Sequence, residues 1–221
     1  MFKDFFSLIF PQNCLNCHRA LISSEKFLCT SCKIDLPLTK DDEIKDNELF
    51  RKFAFEPKVK SAGAFIYFHQ GGITQKLLHH LKYQGKKELG LEIGGWYSKF
   101  LKDLDIDVIV PVPLHSAKKK KRGYNQSEYI AKGMEENLST EVKDDIVKRL
   151  VATKTQTKKS KLQRWTDLEN VYSKAAESIS GKNVLVVDDV ITTGATVGML
   201  CDRLVEQNVK AIHIAAIARG K

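Results

Sequence analysis

From about Lys60 onward, apolar residues alternate between two spacings. Ala62 to Phe68, Ile106 to Pro113 and Val184 to Val190 are short apolar runs rich in β-branched and aromatic residues, and they predict strands. The stretch Ile73 to Gly85, one running through Tyr129, and Val197, Leu200, Cys201, Leu204 and Val205 repeat at helical spacing. Strand alternating with helix predicts an α/β domain. Val108-Ile-Val and Val184-Leu-Val-Val are continuous rather than alternating, as strands covered on both faces of a parallel sheet require. No solenoid or propeller period is present.

The first residues read differently. Phe2, Phe5, Phe6 and Ile9 predict a short helix packed on its own domain; Asp4 interrupts the run, which is too short for a signal segment. No run approaches a membrane span, so a cytoplasmic protein with reduced thiols is expected. Composition turns acidic at Asp41-Asp-Glu-Ile-Lys-Asp46, suggesting a connector. The expected division is a small module with its connector over residues 1–58 and the α/β domain over 59–221.

The chain has 221 residues, 43% hydrophobic and 29% charged, as expected of a globular protein. Lys and Arg exceed Asp and Glu by 36 to 27, a net charge of +9 that favours anionic partners without choosing among phosphates, nucleic acid and acidic surfaces.

Four of the five cysteines form Cys14-x-x-Cys17 and Cys29-x-x-Cys32. Two such knuckles offer four thiolates in a tetrahedron, the set a structural zinc ion takes, with no position left open for a substrate. Cys201 falls on the apolar face of its helix and reads as core. His69, His79, His80 and His213 form no metal-binding spacing and are assigned no role.

The segment Val184 to Thr196 carries the chemistry. A buried strand ends in Asp188 and Asp189, and the turn Thr192-Thr193-Gly194-Ala195-Thr196 opens a helix. Amides and hydroxyls of such a turn can surround a phosphate at the positive end of the helix. The two acids would repel that phosphate directly, but they can accept hydrogen bonds from ribose hydroxyls beside it. The plainer alternative is a Thr-capped helix after a strand that ends in surface acids.

This segment resembles the type I phosphoribosyltransferase motif. Together with the four cysteines, Leu81-Lys82-Tyr83-Gln84-Gly85, Pro111-Val112-Pro113-Leu114, Arg122-Gly123-Tyr124-Asn125-Gln126 and Ala218-Arg219, it makes nearly the whole chain similar to the ComF family. The resemblance implies a type I phosphoribosyltransferase fold, a parallel sheet flanked by helices, with a small N-terminal zinc ribbon. It also implies phosphoribosyl pyrophosphate or a related sugar phosphate as ligand, with magnesium, and a role with single-stranded DNA in natural transformation. By the same resemblance Pro113, Leu114 and His115 would contact pyrophosphate, and Gln156, Lys158, Lys159 and Arg164 would belong to a loop that closes over the ligand. Asp167 departs from the asparagine common at its position, which puts that position's role in doubt.

Lys118-Lys119-Lys120-Lys121-Arg122 is expected as an exposed loop, because consecutive cations repel one another in a helix. The run either meets an anion or is simply solvated. Tyr124 and Trp165 lie near cations and could stack bases, or else pack half-buried. Two rivals to an enzyme stay open: a non-catalytic module binding single-stranded nucleic acid, and a zinc-dependent adaptor for a helicase or import partner.

Overall fold

The computed structural model describes residues 12–39, 46–151, 171–173 and 179–220. Its elements in chain order are α1 (Thr30–Ile34), α2 (Glu48–Arg51), β1 (Val59–Tyr67), α3 (Ile73–Tyr83), α4 (Lys87–Ser98) and β2 (Val108–Pro111). There follow α5 (Ser116–Arg122), α6 (Gln126–Leu138), β3 (Asn183–Ile191), α7 (Ala195–Val205) and β4 (Ala211–Arg219). The sheet runs β1-β4-β3-β2, and each neighbouring pair is parallel.

Alternate residues of the strands feed two separate cores. Leu185 and Val187 of β3, with Ala215 and Ile217 of β4, face the helices carrying Leu77, Leu81, Leu89, Ile93, Ile130 and Met134. Val184 and Val186, with Ile212, Ile214 and Ala216, face Val197, Leu200, Cys201 and Leu204 of α7. Each strand therefore loses water on both sides, which is why its apolar residues run on without a polar alternation. The outer edge of β1 is covered by the segment that follows α1: Leu38 bridges Ile66, and the Tyr67 amide donates to the Pro37 carbonyl at 2.8 Å. That contact closes an edge otherwise open to pairing.

The cysteine segment is part of the first core. Cys14, Leu15, Leu28, Cys29, Cys32 and Leu36 are buried in the same cluster as the inner faces of α3 and α4. Lys76 of α3 adds hydrogen bonds of 3.0 Å to both oxygens of Asn16.

The expectation of a loop at Lys118–Arg122 is corrected: these residues form most of α5. The repulsion is relieved from outside the run, since Lys119 pairs with Glu128 at 3.4 Å and Asp144 at 3.8 Å, and Arg122 bonds Gln126. The His115 ring nitrogen accepts from the Ala117 amide at the start, and Gly123 ends the helix in the left-handed region at φ 86°. The cations crowd the C-terminal turn, where the helix dipole favours them.

Candidate functional site

The carboxyl ends of parallel strands are where ligands of open α/β sheets bind, and the two acids lie at that end of β3. Asp188 and Asp189 are both buried. One Asp188 oxygen accepts from the Ser127 hydroxyl at 3.0 Å and from the Asp189 amide at 2.8 Å. Burial first, and the Asp189 charge second, push the Asp188 carboxyl up to about 7, against the pull of these two donors and of Lys82. Lys82 Nζ stands 2.9 Å from Asp189 Oδ2, close enough to balance its charge, but outside the alignment of a hydrogen bond.

Beyond β3, Thr192, Thr193 and Ala195 are exposed and Gly194 and Thr196 half-buried. With Asp188, Val190, Ile191 and Val197 they line a pocket of about 40 Å³. Gly194 caps α7 at φ 82°, and a Cβ there would lie 2.9 Å from Phe53 Cζ, so both backbone and space require glycine. The N-cap Gly194 has no side chain to offer α7; the Ala195 amide donates to the Thr193 hydroxyl at 3.4 Å, and the amides of Gly194, Thr196 and Val197 donate to no acceptor among the described residues. Such amides and the dipole they share suit an anion. Lys52, from the end of α2, reaches the rim and donates to the Thr192 carbonyl at 2.9 Å.

The loop Pro113, Leu114, His115 follows β2 on the opposite side of β3 from β4. Its start is tied down: the Val112 amide donates to the Val187 carbonyl at 2.8 Å, and Asn125 donates to the Val112 carbonyl at 3.0 Å. Pro113 is buried, with Leu114 and His115 half-buried. At the far side, Arg219 ends β4 opposite Ile191 and is held by Glu48 at 2.8 Å and by the Tyr67 hydroxyl at 3.2 Å.

Of the basic and aromatic candidates, Lys118, Lys119, Lys120 and Lys121 are exposed on α5. Of the two readings open for Tyr124, the structure gives packing: it is 7% exposed, and its hydroxyl donates to the Leu81 carbonyl. Tyr83, which pattern alone did not single out, is 70% exposed, with the Arg122 guanidinium 5.5 Å from its ring centre. Gln156, Lys158, Lys159, Arg164 and Trp165 lie outside the described residues. Sequence reasoning also missed Lys82, Ser127 and Lys52, whose partners are distant along the chain; Lys82 lay only within a quoted family motif.

The sulfurs of Cys14, Cys17, Cys29 and Cys32 lie within 4.8 Å of one another and could hold a metal ion such as zinc. The Cys29 amide donates to the Cys14 sulfur at 3.4 Å, and Asn16 Nδ2 to that of Cys32 at 3.3 Å. Burial pushes the Cys14 thiol up, but the backbone donors of Cys17, Cys29 and Asn16 outweigh it and bring it down to about 6. Burial foremost, with the neighbouring thiols adding to it, pushes Cys32 up to about 12. A cation at their centre would favour all four thiolates, and the donor set fits zinc.

Residues 106–221 match the phosphoribosyl transferase domain family. Competence protein F of Haemophilus influenzae is 34% identical over 116 residues, 52% of this chain and 51% of that protein. DNA utilization protein YhgH of Escherichia coli is 28% identical over 150 residues, 65% of this chain and 66% of that protein. The chain thus matches between about half and two thirds of the length of these two relatives. Competence protein ComFC of Bacillus subtilis is 24% identical over 90% of this chain and 80% of that protein. Among solved structures, the glutamine phosphoribosylpyrophosphate amidotransferase of B. subtilis aligns with a TM-score of 0.46 and 16% identity, covering 64% of this chain and 30% of that one.

Proposed function

This chain belongs to the phosphoribosyl transferase domain family, in its ComF branch, and from that premise we propose that it binds the ribose 5-phosphate part of phosphoribosyl pyrophosphate at the end of β3. The observation that carries the reading is the pairing of Asp188 and Asp189 with the turn Thr192 to Thr196, where the amides of Gly194 and Thr196 donate to no acceptor among the described residues. The turn offers N–H groups and hydroxyls to the 5-phosphate, and the acids accept from the ribose hydroxyls. Pro113 to His115, on the β2 side, would face the pyrophosphate. Magnesium would come with the pyrophosphate, whose charge it neutralises, as this ion is usually held by substrate phosphates and its own waters rather than by an all-protein cage. Zinc in the four cysteines is structural.

The test is isothermal titration of phosphoribosyl pyrophosphate with magnesium into wild type and Asp189→Asn. Binding in wild type that weakens about tenfold or more in the variant supports the reading. A folded, zinc-loaded wild type that takes up no phosphoribosyl pyrophosphate overturns it.

The names of the relatives, competence and DNA utilization, extend the proposal to single-stranded DNA in transformation. What favours this second reading in the chain itself is α5, where exposed lysines stand beside Arg122 and the exposed Tyr83 ring. Fluorescence anisotropy with an oligodeoxythymidine should show affinity falling steeply with salt, and less steeply after Lys118, Lys120 and Lys121 are changed to Gln. An unchanged salt slope removes α5 from the DNA surface.

A further inference from the structure

We infer that α2, which lies outside the residues 106–221 that match the transferase domain family, is a working wall of the phosphate site, and that its C-cap Lys52 is a positioning residue that aims the turn Thr192 to Thr196 at a phosphate. This role rests on the sugar-phosphate reading and adds to it a residue that sets affinity from outside the cradle.

The helix is fixed from several sides. Asn47 caps it by accepting from the Phe50 amide at 2.9 Å, and its Nδ2 donates to the Ala62 carbonyl of β1 at 2.7 Å. Glu48 accepts from the buried Arg219, at the end of β4, at 2.8 Å. Leu49 and Phe53, four residues apart, are buried in the second core with Ile191, Val197 and Leu200. The Phe53 ring closes on the turn itself, since a Cβ at Gly194 would lie 2.9 Å from its Cζ. Lys52, exposed and adjacent to Phe53, therefore extends from a backbone that is already held against the turn.

Lys52 Nζ donates to the Thr192 carbonyl at 2.9 Å, and no other donor among the described residues reaches that oxygen. Thr192 lines the cradle and Lys52 does not, so the lysine takes the carbonyl from outside. The Thr192–Thr193 peptide is trans, which sets its C=O and N–H in opposite directions. A carbonyl held outward thus turns the Thr193 amide toward the cradle, and this amide donates to no acceptor among the described residues. The cationic donor also polarises the peptide, which makes that N–H a stronger donor to an anion. Thr192 and Thr193 are exposed, and Gly194 beside them leaves the backbone free to turn, so the peptide needs this hold from α2.

The test is isothermal titration of ribose 5-phosphate into the full chain with zinc bound, as wild type, Lys52→Met and Lys52→Arg. Lys52 is exposed, so its replacement leaves the core intact. Methionine keeps an apolar stem and removes the donor, and it should weaken binding about five- to tenfold. Arginine supplies a cationic donor again and should bring affinity back to within about twofold of wild type. The ratio of wild type to Lys52→Met should hold between about 0.05 M and about 0.5 M salt, because a fixed peptide is not screened as a distant charge is. Equal affinity of wild type and Lys52→Met overturns the inference and leaves the sugar-phosphate reading standing. A loss that disappears at high salt also overturns it, because Lys52 then acts only as a surface charge, and so does a loss that arginine does not restore. If wild type takes up no ribose 5-phosphate, the underlying reading fails and the inference falls with it.

Discussion

Asp188 holds its proton in the native state at a pH where the unfolded chain has released it, because burial and the Asp189 charge raise its pKa from the ordinary carboxylate range to about 7. The native state therefore binds more protons than the unfolded state between about pH 4 and pH 7. Stability contributed by this group is full at the acid side of that window and is lost as pH rises through it. Urea denaturation of the free protein should show wild type losing on the order of 1–3 kcal/mol relative to Asp188→Asn between pH 5 and pH 7.5. Parallel pH curves would show that Asp188 ionises normally. Asp189 depends on Lys82 in a different way. Lys82→Met leaves a buried carboxylate beside a thioether and should cost about 2 kcal/mol, less than for a fully buried pair because the lysine is 24% exposed. Asp189→Asn in that background should recover most of the loss, and strictly additive effects in the double-mutant cycle would mean that the contact contributes nothing. Neither relation can be read along the chain. The apolar strand and its two acids are local patterns, but Ser127 and Lys82 come from helices 61 and 107 residues earlier, and only folding brings them to β3.

The elements that local pattern revealed are those whose burial is uniform. β3 is covered on both faces, so its apolar run is unbroken, and α3 and α7 each bury one stripe. α5 is not legible within its own run, because the repulsion among its cations is relieved by Glu128 and Asp144 from outside it, and His115 and Gly123 cap its ends. Tyr124 and Tyr83 illustrate the same limit, since both are aromatic residues near cations and only the docking of the turn before α6 on Leu81 of α3 decides which is buried. The contact of α4 with α6 depends on small residues at the crossing. A Cβ at Gly133 would lie 2.1 Å from the Leu91 carbonyl oxygen, and one at Gly94 the same distance from that of Ile130. Backbone atoms cannot yield as a flexible side chain does, so Gly133→Ala must push the helices apart, at a cost of about 1–3 kcal/mol or more. Urea denaturation measures this, and a stability within about 0.5 kcal/mol of wild type would show that the helices slide freely.

At the scale of the molecule, the four-cysteine segment and the proposed sugar-phosphate site share α3. The inner face of that helix, Leu77, Leu78 and Leu81, is buried in one cluster with Cys14, Cys29, Cys32 and Leu28. Lys76 on the same helix bonds Asn16 between the first two cysteines, and Lys82 reaches Asp189. Metal binding in a four-cysteine module is folding free energy, so its loss should be felt wherever the module supplies packing. We expect that stripping zinc, or Cys29→Ser, exposes backbone amides over Ile73–Ser98 to hydrogen exchange together with those of residues 12–39. Deuterium uptake followed by mass spectrometry checks this. Loss of protection confined to 12–39 would instead mark the cysteine segment as a unit that folds and fails by itself, as a division near residue 58 implies. If α3 does loosen, Lys82 no longer stands fixed beside Asp189. The structural metal would then set ligand affinity without touching the ligand, and affinity for ribose 5-phosphate should fall in step with the loss of protection in α3.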